Sequence, residues 1–82
     1  MKQIKTLNDG TKIYLLNGKL HREDGPAIEW LNGTKLWYIN DLRHREDGPA
    51  IEYTNGSVEW FYNDVKYDVN SAEELMIAVL LK

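Results

Sequence analysis

His21-Arg22-Glu23-Asp24-Gly25-Pro26-Ala27 recurs without change as His44-Arg45-Glu46-Asp47-Gly48-Pro49-Ala50, 23 residues further along the chain. Self-similarity at a fixed period of about 20 to 50 residues is typical of repeat proteins. The period extends beyond these heptapeptides, because it also relates Gly10, Gly33 and Gly56, and Asn17, Asn40 and Asn63. We therefore predict about three repeat units over residues 4–69.

Each unit contains two short runs of β-forming residues separated by a turn signal. In the second unit, residues 27–31 precede Asn32-Gly33, and residues 34–39 precede Asn40-Asp41. Asn-Gly and Asp-Gly between such runs favour β-hairpins, since these residues tolerate the positive φ of a primed turn. We expect primed turns at Asp9-Gly10, Asn32-Gly33 and Asn55-Gly56. Consecutive hairpins predict a mostly β fold, an antiparallel meander of 23-residue hairpins.

The C-terminal segment predicts one α-helix over residues 71–82. Ser71 and Glu74 have the spacing of a capping box, and residues 75–81 form an uninterrupted apolar run. Side chains alternate along a strand, so the apolar residues of each second strand supply both sheet faces, and we expect the helix to pack on one of them. A helix that is apolar all round needs a further contact. Its remaining surface therefore predicts an interface with a second subunit or a partner.

Length and composition indicate a single small domain, residues 1–82. The absence of cysteine excludes disulfides, zinc–thiolate sites and a thiol nucleophile. The formal net charge of −3 is unevenly distributed, because residues 1–45 carry eight basic and five acidic side chains, whereas residues 46–82 carry two and eight. No N-terminal apolar stretch suggests a signal peptide or membrane span, so we expect a cytoplasmic protein without a membrane partner.

The heptapeptide allows two interpretations, a chemical site or a structural turn. Each copy offers only one histidine, too few ligands for a structural metal site, and no serine lies in a nucleophile motif. A turn fits better, because Asp can bond a backbone amide, Gly can adopt an unusual φ and Pro fixes φ. Histidine could then bond the Asp or a turn carbonyl, and arginine could pair with carboxylates. The predicted turn residues are His21, Asp24, Gly25, Pro26, His44, Asp47, Gly48 and Pro49. We predict no catalytic residue, no metal site and no cofactor.

The chain resembles a divergent member of the MORN-repeat family over about residues 4–67. The matching pieces are the segments 37–44 and 53–58, in which aromatic residues, an Asn-containing turn and a basic-His stretch follow the family order. Asp-Gly-Pro-Ala replaces the usual Gly-x-Gly, and Asp41 and Asp64 stand where glycine is common. The His-Arg-x-Asp-Gly-Pro-Ala version resembles one found in small proteins of tailed bacteriophages.

This resemblance implies a binding or assembly module rather than an enzyme. Small phage proteins often block or redirect host machinery, including defence systems, by stoichiometric binding. The leading hypothesis is therefore a homodimeric, phage-encoded inhibitor or adaptor of a host protein, acting in the host cytoplasm. Aromatic residues dominate interface energetics, so the candidate contact residues, about half of which we expect to pack beneath the helix, are Tyr14, Trp37, Tyr38, Trp60, Phe61, Tyr62, Ile77 and Leu81.

An alternative hypothesis is binding of RNA or single-stranded nucleic acid, for example as an RNA-dependent toxin inhibitor. Basic residues interleaved with aromatics suit phosphate contact and base stacking. The candidates are Lys5, Lys12, Lys19, Arg22, Lys35, Arg43 and Arg45. The pI of about 5.3 argues against this hypothesis. Attachment to a membrane surface is disfavoured further, because the predicted helix lacks basic amphipathic character.

Overall fold

Hairpins dominate the computed structural model, which describes all 82 residues. The strands are β1 (Lys2–Thr6), β2 (Lys12–Leu16), β3 (Lys19–Leu20), β4 (Ile28–Glu29), β5 (Lys35–Leu36), β6 (Tyr38–Ile39), β7 (Leu42–Arg43), β8 (Ile51–Glu52), β9 (Val58–Tyr62) and β10 (Val65–Tyr67), and the helix is α1 (Ala72–Leu80). The main sheet has the order β1-β2-β4-β5-β8-β9-β10, with β3 also on β2, while β6 and β7 form a separate pair. The predicted mostly β, antiparallel fold with one helix near the C-terminus is confirmed.

The strand register separates two kinds of side chain onto the two sheet faces. Residues opposite each other on neighbouring antiparallel strands share a face. One row of such partners is aliphatic and consists of Ile13, Ile28, Leu36 and Ile51. The adjacent row points to the other face and alternates in charge, Lys12, Glu29, Lys35 and Glu52. Tyr14 shares the face of the charged row, because it lies two residues after Lys12 in β2.

The turns at the Gly10, Gly33 and Gly56 positions are not primed, so that prediction is wrong. Within each pair only the glycine has a positive φ, 95°, 97° and 89° respectively. In the first turn, the Gly10 N–H donates to the Leu7 carbonyl, and the Leu7 N–H donates to the Thr11 carbonyl. This is the longer hairpin loop in which a left-handed glycine ends the turn. Asp9 Oδ1 accepts from the Thr11 N–H at 2.9 Å, which further fixes the loop.

Turns with positive φ at both central residues occur instead at the other end of the second strands. They lie at Asn17-Gly18, Asn40-Asp41 and Asn63-Asp64, with φ between 48° and 81°. Such values match a type I′ turn, whose twist suits a two-residue hairpin connection. These turns join β2 to β3, β6 to β7 and β9 to β10.

Helix α1 has the predicted cap but packs less completely than expected. Ser71 is the N-cap, and its hydroxyl accepts from the Glu74 N–H at 3.1 Å. Glu74 reaches back to the Asn70 N–H at 2.8 Å, one residue before the usual capping-box partner. Leu75 is the only buried helix residue, and Ala72, Met76, Ala78 and Val79 are half-buried. One face of the helix therefore packs, and the opposite face is exposed. It is not long and apolar enough to cross a membrane.

The hydrophobic core of the molecule is small, so the segments that connect the strands make an unusually large contribution to the fold. Only 10 of the 82 residues are buried, and the principal extents are 41 × 31 × 17 Å. The buried hydrophobic residues are Ala27, Ala50, Ile51, Trp60, Phe61 and Leu75. Of the 44 hydrogen bonds between backbone groups, 20 lie in turns, loops and caps. The heptapeptides, which connect successive hairpins, therefore contribute substantially to the fold.

Candidate binding groove

The two heptapeptides lie side by side and line one groove of about 590 Å³, here called the heptapeptide groove. Its lining residues are His21, Arg22, Glu23, Asp24, Trp37, Ile39, His44, Arg45, Glu46 and Asp47. Trp37 and Ile39 are its two hydrophobic residues. The Trp37 Nε1–H is buried and has no hydrogen-bond acceptor within the chain. The groove thus combines an apolar part with two identical sets of charged side chains.

Arg22 contacts four groups of its own chain. Its Cζ lies 4.0 Å from the centroid of the Tyr14 ring, a cation–π contact. Its Nε donates to Asp24 Oδ1 at 3.1 Å, and its Nη1 donates to the Pro26 carbonyl at 3.2 Å. Nη1 also lies 3.5 Å from Glu29 Oε2. The guanidinium therefore ties the heptapeptide to the ring of β2 and to a carboxylate of β4.

Arg45 makes the same contacts in the second copy. Its Cζ lies 3.8 Å from the Trp37 ring centroid, and its Nε donates to Asp47 Oδ1 at 2.9 Å. Its Nη1 donates to the Pro49 carbonyl at 3.2 Å and lies 3.5 Å from Glu52 Oε1. Both arginines thus pair with carboxylates, as predicted from the sequence. Both also cover an aromatic ring, a contact that the sequence did not predict.

The glycines of the heptapeptides provide space rather than an unusual backbone angle. Neither Gly25 nor Gly48 has a positive φ, so that expectation is wrong. A Cβ at Gly25 would lie 2.7 Å from Arg22 Cζ, and a Cβ at Gly48 would lie 2.7 Å from Arg45 Cζ. A side chain at either position would displace the guanidinium from its present place.

The histidines connect one hairpin to the next, and their partners differ from those expected. His21 Nδ1 accepts from the Asn40 N–H at 3.1 Å, and its Nε2 lies 3.2 Å from Glu23 Oε2. An acceptor at Nδ1 and a carboxylate at Nε2 assign the neutral tautomer with its proton on Nε2. The partners are a backbone amide and Glu23, not the Asp or the turn carbonyl that we predicted. Asp24 likewise binds an arginine rather than a backbone amide.

His44 repeats this arrangement and adds one contact. Its Nδ1 accepts from the Asn63 N–H at 3.0 Å, and its Nε2 lies 3.3 Å from Glu46 Oε2. The ring also lies 4.5 Å from the Tyr62 ring, measured between centroids. The side chains of His21 and His44 are only 8% and 11% exposed, so neither presents a free imidazole to a substrate.

Asp41 and Asp64 connect the primed turns to the preceding strands. Asp41 Oδ1 accepts from the Leu20 N–H at 2.7 Å, and its own N–H donates to the Leu20 carbonyl at 2.8 Å. Asp64 accepts from both the N–H and Nε of Arg43. The hydrogen bond from the Arg43 side chain lowers the pKa of Asp64, and the same bond raises the pKa of Arg43. These bonds offset the cost of a positive φ at aspartate.

The rim of the heptapeptide groove is acidic. Glu23, Asp24, Glu46 and Asp47 have side chains between 66% and 88% exposed. Two arginines against four carboxylates, with neutral histidines, give the lining residues a formal charge of −2. The arginines lie beneath this rim, with side chains 25% and 19% exposed. The accessible charge of the groove is therefore negative.

The candidate contact residues fall into three groups. Trp60 and Phe61 are buried. Tyr14, Trp37, Tyr38 and Tyr62 are half-buried, the first two beneath arginines and the last against His44. Ile77 and Leu81 are exposed, together with Leu80, which we did not name although it belongs to the same apolar run. The aromatic candidates thus serve mainly in packing, and the exposed members of the candidate set are Ile77 and Leu81 near the C-terminus.

The nucleic-acid candidates do not form one positive surface. Arg22, Arg43 and Arg45 are paired with carboxylates, and Arg43 also covers the Phe61 ring with its Cζ 4.1 Å from the centroid. The exposed candidates are Lys5, Lys12, Lys19 and Lys35. Lys12 and Lys35 alternate with glutamates across the sheet, which interrupts any basic stripe that could follow a phosphate backbone.

Neither a metal cluster nor a recognised relative assigns a function to the groove. No group of three or more His, Asp or Glu side chains is arranged to hold a metal ion. Comparison of the chain with protein-family models, curated proteins and solved structures gave no match.

Proposed function

We propose that this chain is a non-enzymatic protein-binding module of MORN-like hairpin units. It acts as a homodimer and is a phage-encoded inhibitor or adaptor that binds a host protein stoichiometrically. The observation that carries the proposal is the apolar surface at the C-terminus, where Leu80 and Leu81 are 82% and 80% exposed and Ile77 is also exposed. Burying a leucine or isoleucine side chain stabilises an interface by about 1.5–3 kcal/mol.

The recurrence of whole contact sets supports the description as repeated units. The arginine–aromatic contact, the arginine–carbonyl bond and the histidine–amide bond each occur twice, at positions 23 residues apart. In the third unit, Asp68 stands at the arginine position and Tyr67 at the histidine position. Helix α1 follows there instead of another hairpin, as a terminal cap would.

The helix surface is a better candidate for self-association than the sheet aromatics. The aromatics already contact arginine, histidine or the core, whereas Leu80 and Leu81 leave most of their surface in water. The chain also exposes Leu31 at a hairpin tip, 69%. This gives a matched control, because the two leucine sites are similarly apolar but lie in different parts of the fold.

Light scattering coupled to size-exclusion chromatography tests the homodimer. The wild-type chain should have twice the 9.6 kDa mass of one chain. The double variant Leu80→Glu/Leu81→Glu should be a folded monomer, and Leu31→Glu should remain a dimer. A wild-type monomer at high protein concentration would contradict the homodimer, and a monomeric Leu31→Glu with dimeric Leu80→Glu/Leu81→Glu would place the interface elsewhere.

A further inference from the structure

We propose that the heptapeptide groove binds a cationic peptide segment of the partner, with one Lys or Arg side chain of that segment at each heptapeptide. This inference rests on the proposed protein-binding function and names the chemistry of the partner. It uses a surface separate from the helix end, so each can be tested without the other.

The first argument is the charge that remains accessible. Each groove arginine already has two carboxylates and a carbonyl of its own chain as partners, Arg22 with Asp24 and Glu29, and Arg45 with Asp47 and Glu52. These contacts compensate the guanidinium charge beneath the rim. The lining residues keep a net formal charge of −2, and the exposed rim carboxylates carry it, so the groove repels anions and attracts cations.

The second argument is the mixed character of the groove. Trp37 and Ile39 are the apolar residues of the lining, and Arg45 stacks on the Trp37 ring. Lysine and arginine have long apolar stems that pack on such surface while the charged end stays in water. A metal ion or a small ammonium compound would use the carboxylates but not the apolar surface. A peptide with long cationic side chains uses both.

The third argument is the spacing of the two acidic sets. The heptapeptides lead directly into β4 and β8, which are separated in the sheet by β5 alone. Two interstrand steps of about 4.8 Å place equivalent positions about 9.6 Å apart. A polyproline II segment has three residues per turn and a rise of about 3.1 Å, so every third side chain recurs on one side after about 9.3 Å. Side chains three apart on a β-strand point to opposite sides instead.

These arguments define the bound segment. It is an extended, polyproline-II-compatible stretch with Lys or Arg at every third position, lying across the strands. One cation contacts the rim of Glu23 and Asp24, and the next contacts the rim of Glu46 and Asp47.

The test is a titration of synthetic peptides by fluorescence anisotropy. The probe is a labelled repeat of Arg-Pro-Ala, compared with a peptide of the same composition whose arginines are contiguous and with a repeat of Glu-Pro-Ala. We expect the Arg-Pro-Ala repeat to bind most tightly, with affinity that falls as salt rises. Equal binding of the contiguous peptide would overturn the spacing, and tighter binding of the Glu-Pro-Ala repeat would overturn the charge assignment.

Matched protein variants separate the groove from general attraction to an acidic protein. Asp24→Asn/Asp47→Asn removes two groove charges and keeps an oxygen acceptor for each arginine, whereas Asp68→Asn/Glu73→Gln removes two exposed charges elsewhere. The groove variant should lose affinity about tenfold, because two exposed ion pairs contribute up to about 1 kcal/mol each. The other variant should bind nearly as the wild type. Equal losses in both variants would overturn the proposal.

An observation on the wild-type chain avoids dependence on variant folding. Trp37 lines the groove, so its indole N–H signal in ¹H–¹⁵N spectra should shift on addition of the Arg-Pro-Ala repeat. The indole signals of Trp30 and Trp60 should not shift. Shifts confined to Trp30 or Trp60 would overturn the site. The molecular mass in the same samples reports the homodimer separately, so failure of the groove and failure of the proposed dimer are distinguishable.

Discussion

Replacing Gly48 by alanine should destabilise the chain through Arg45 rather than through the backbone. The new Cβ would lie 2.7 Å from Arg45 Cζ, and its three nearest atoms all belong to that side chain. The guanidinium must move, which breaks its contact with Trp37 and its bond to the Pro49 carbonyl. The stacking contributes about 1 kcal/mol and the charged hydrogen bond about 1.5 kcal/mol, with up to about 1 kcal/mol from the exposed ion pair with Asp47. Alanine restricts the unfolded chain and returns about 0.4–1 kcal/mol. The expected net loss is about 2 kcal/mol.

The assay is urea unfolding of four proteins, the wild type, Gly48→Ala, Arg45→Ala and the double variant. If the guanidinium causes the loss, Gly48→Ala should cost almost nothing, or stabilise slightly, in the Arg45→Ala background. Gly18→Ala is the control, because Gly18 has a φ of +81° and no atom within 4 Å of the added Cβ. Its cost should be the same in both backgrounds. An unchanged cost of Gly48→Ala without Arg45 would refute the assigned role of this glycine.

Three further predictions concern the histidines, the carboxylates and the helix cap. His44→Asn should retain more stability in urea than His44→Gln, because Asn Oδ1 can replace Nδ1 as acceptor for the Asn63 N–H; the reverse order would contradict the assigned tautomer. The pKa of Asp64 is lowered chiefly by its bond from Arg43, that of Glu59 chiefly by Lys66, and that of Asp9 chiefly by the Thr11 N–H. Carboxylates with lowered folded-state pKa stabilise the fold above their unfolded pKa of about 4 and lose this contribution as pH falls through the folded value. Thermal melts should therefore show a Tm that falls as the pH is lowered into the acid range. The fall should be less steep for Asp64→Asn than for the wild type. An identical pH dependence of Tm in the two proteins would contradict the contribution of Asp64. Ser71→Ala should cost about 1 kcal/mol by removing the N-cap, whereas Ser71→Asp should not; melts of the two variants check the difference, and equal Tm values would argue against the cap.

The parts of the fold that depend on neighbouring residues could be predicted from the sequence. Hairpin turns and the Ser71 cap are local, because a few residues near in sequence satisfy one another's backbone groups. The one local feature predicted wrongly is the type of the turns at Gly10, Gly33 and Gly56, which are not primed. Asn32 and Asn55 accept hydrogen bonds from Thr34 and Ser57, and this side-chain contact accompanies the longer loop with a single left-handed residue.

The roles of the heptapeptide residues could not be predicted, because they depend on contacts between residues far apart in the sequence. His21 binds the amide of Asn40, 19 residues away, and Asp41 binds Leu20, 21 residues away. The period shows that these residues recur but not what they touch. The unchanged spacing of Arg22 and Gly25, and of Arg45 and Gly48, is the sequence signal for the stacked guanidinium, but glycine beside Asp and Pro equally indicates a turn. Which side of the helix is buried also depends on its docking angle, which an all-apolar run does not specify.

The most direct test of the protein-binding function is affinity capture from a bacterial host lysate with and without nuclease treatment. We expect a protein partner that is retained in stoichiometric amount after nuclease treatment and that the Asp24→Asn/Asp47→Asn variant retains more weakly. Release of the partner by nuclease, or recovery of nucleic acid alone, would contradict the protein-binding function.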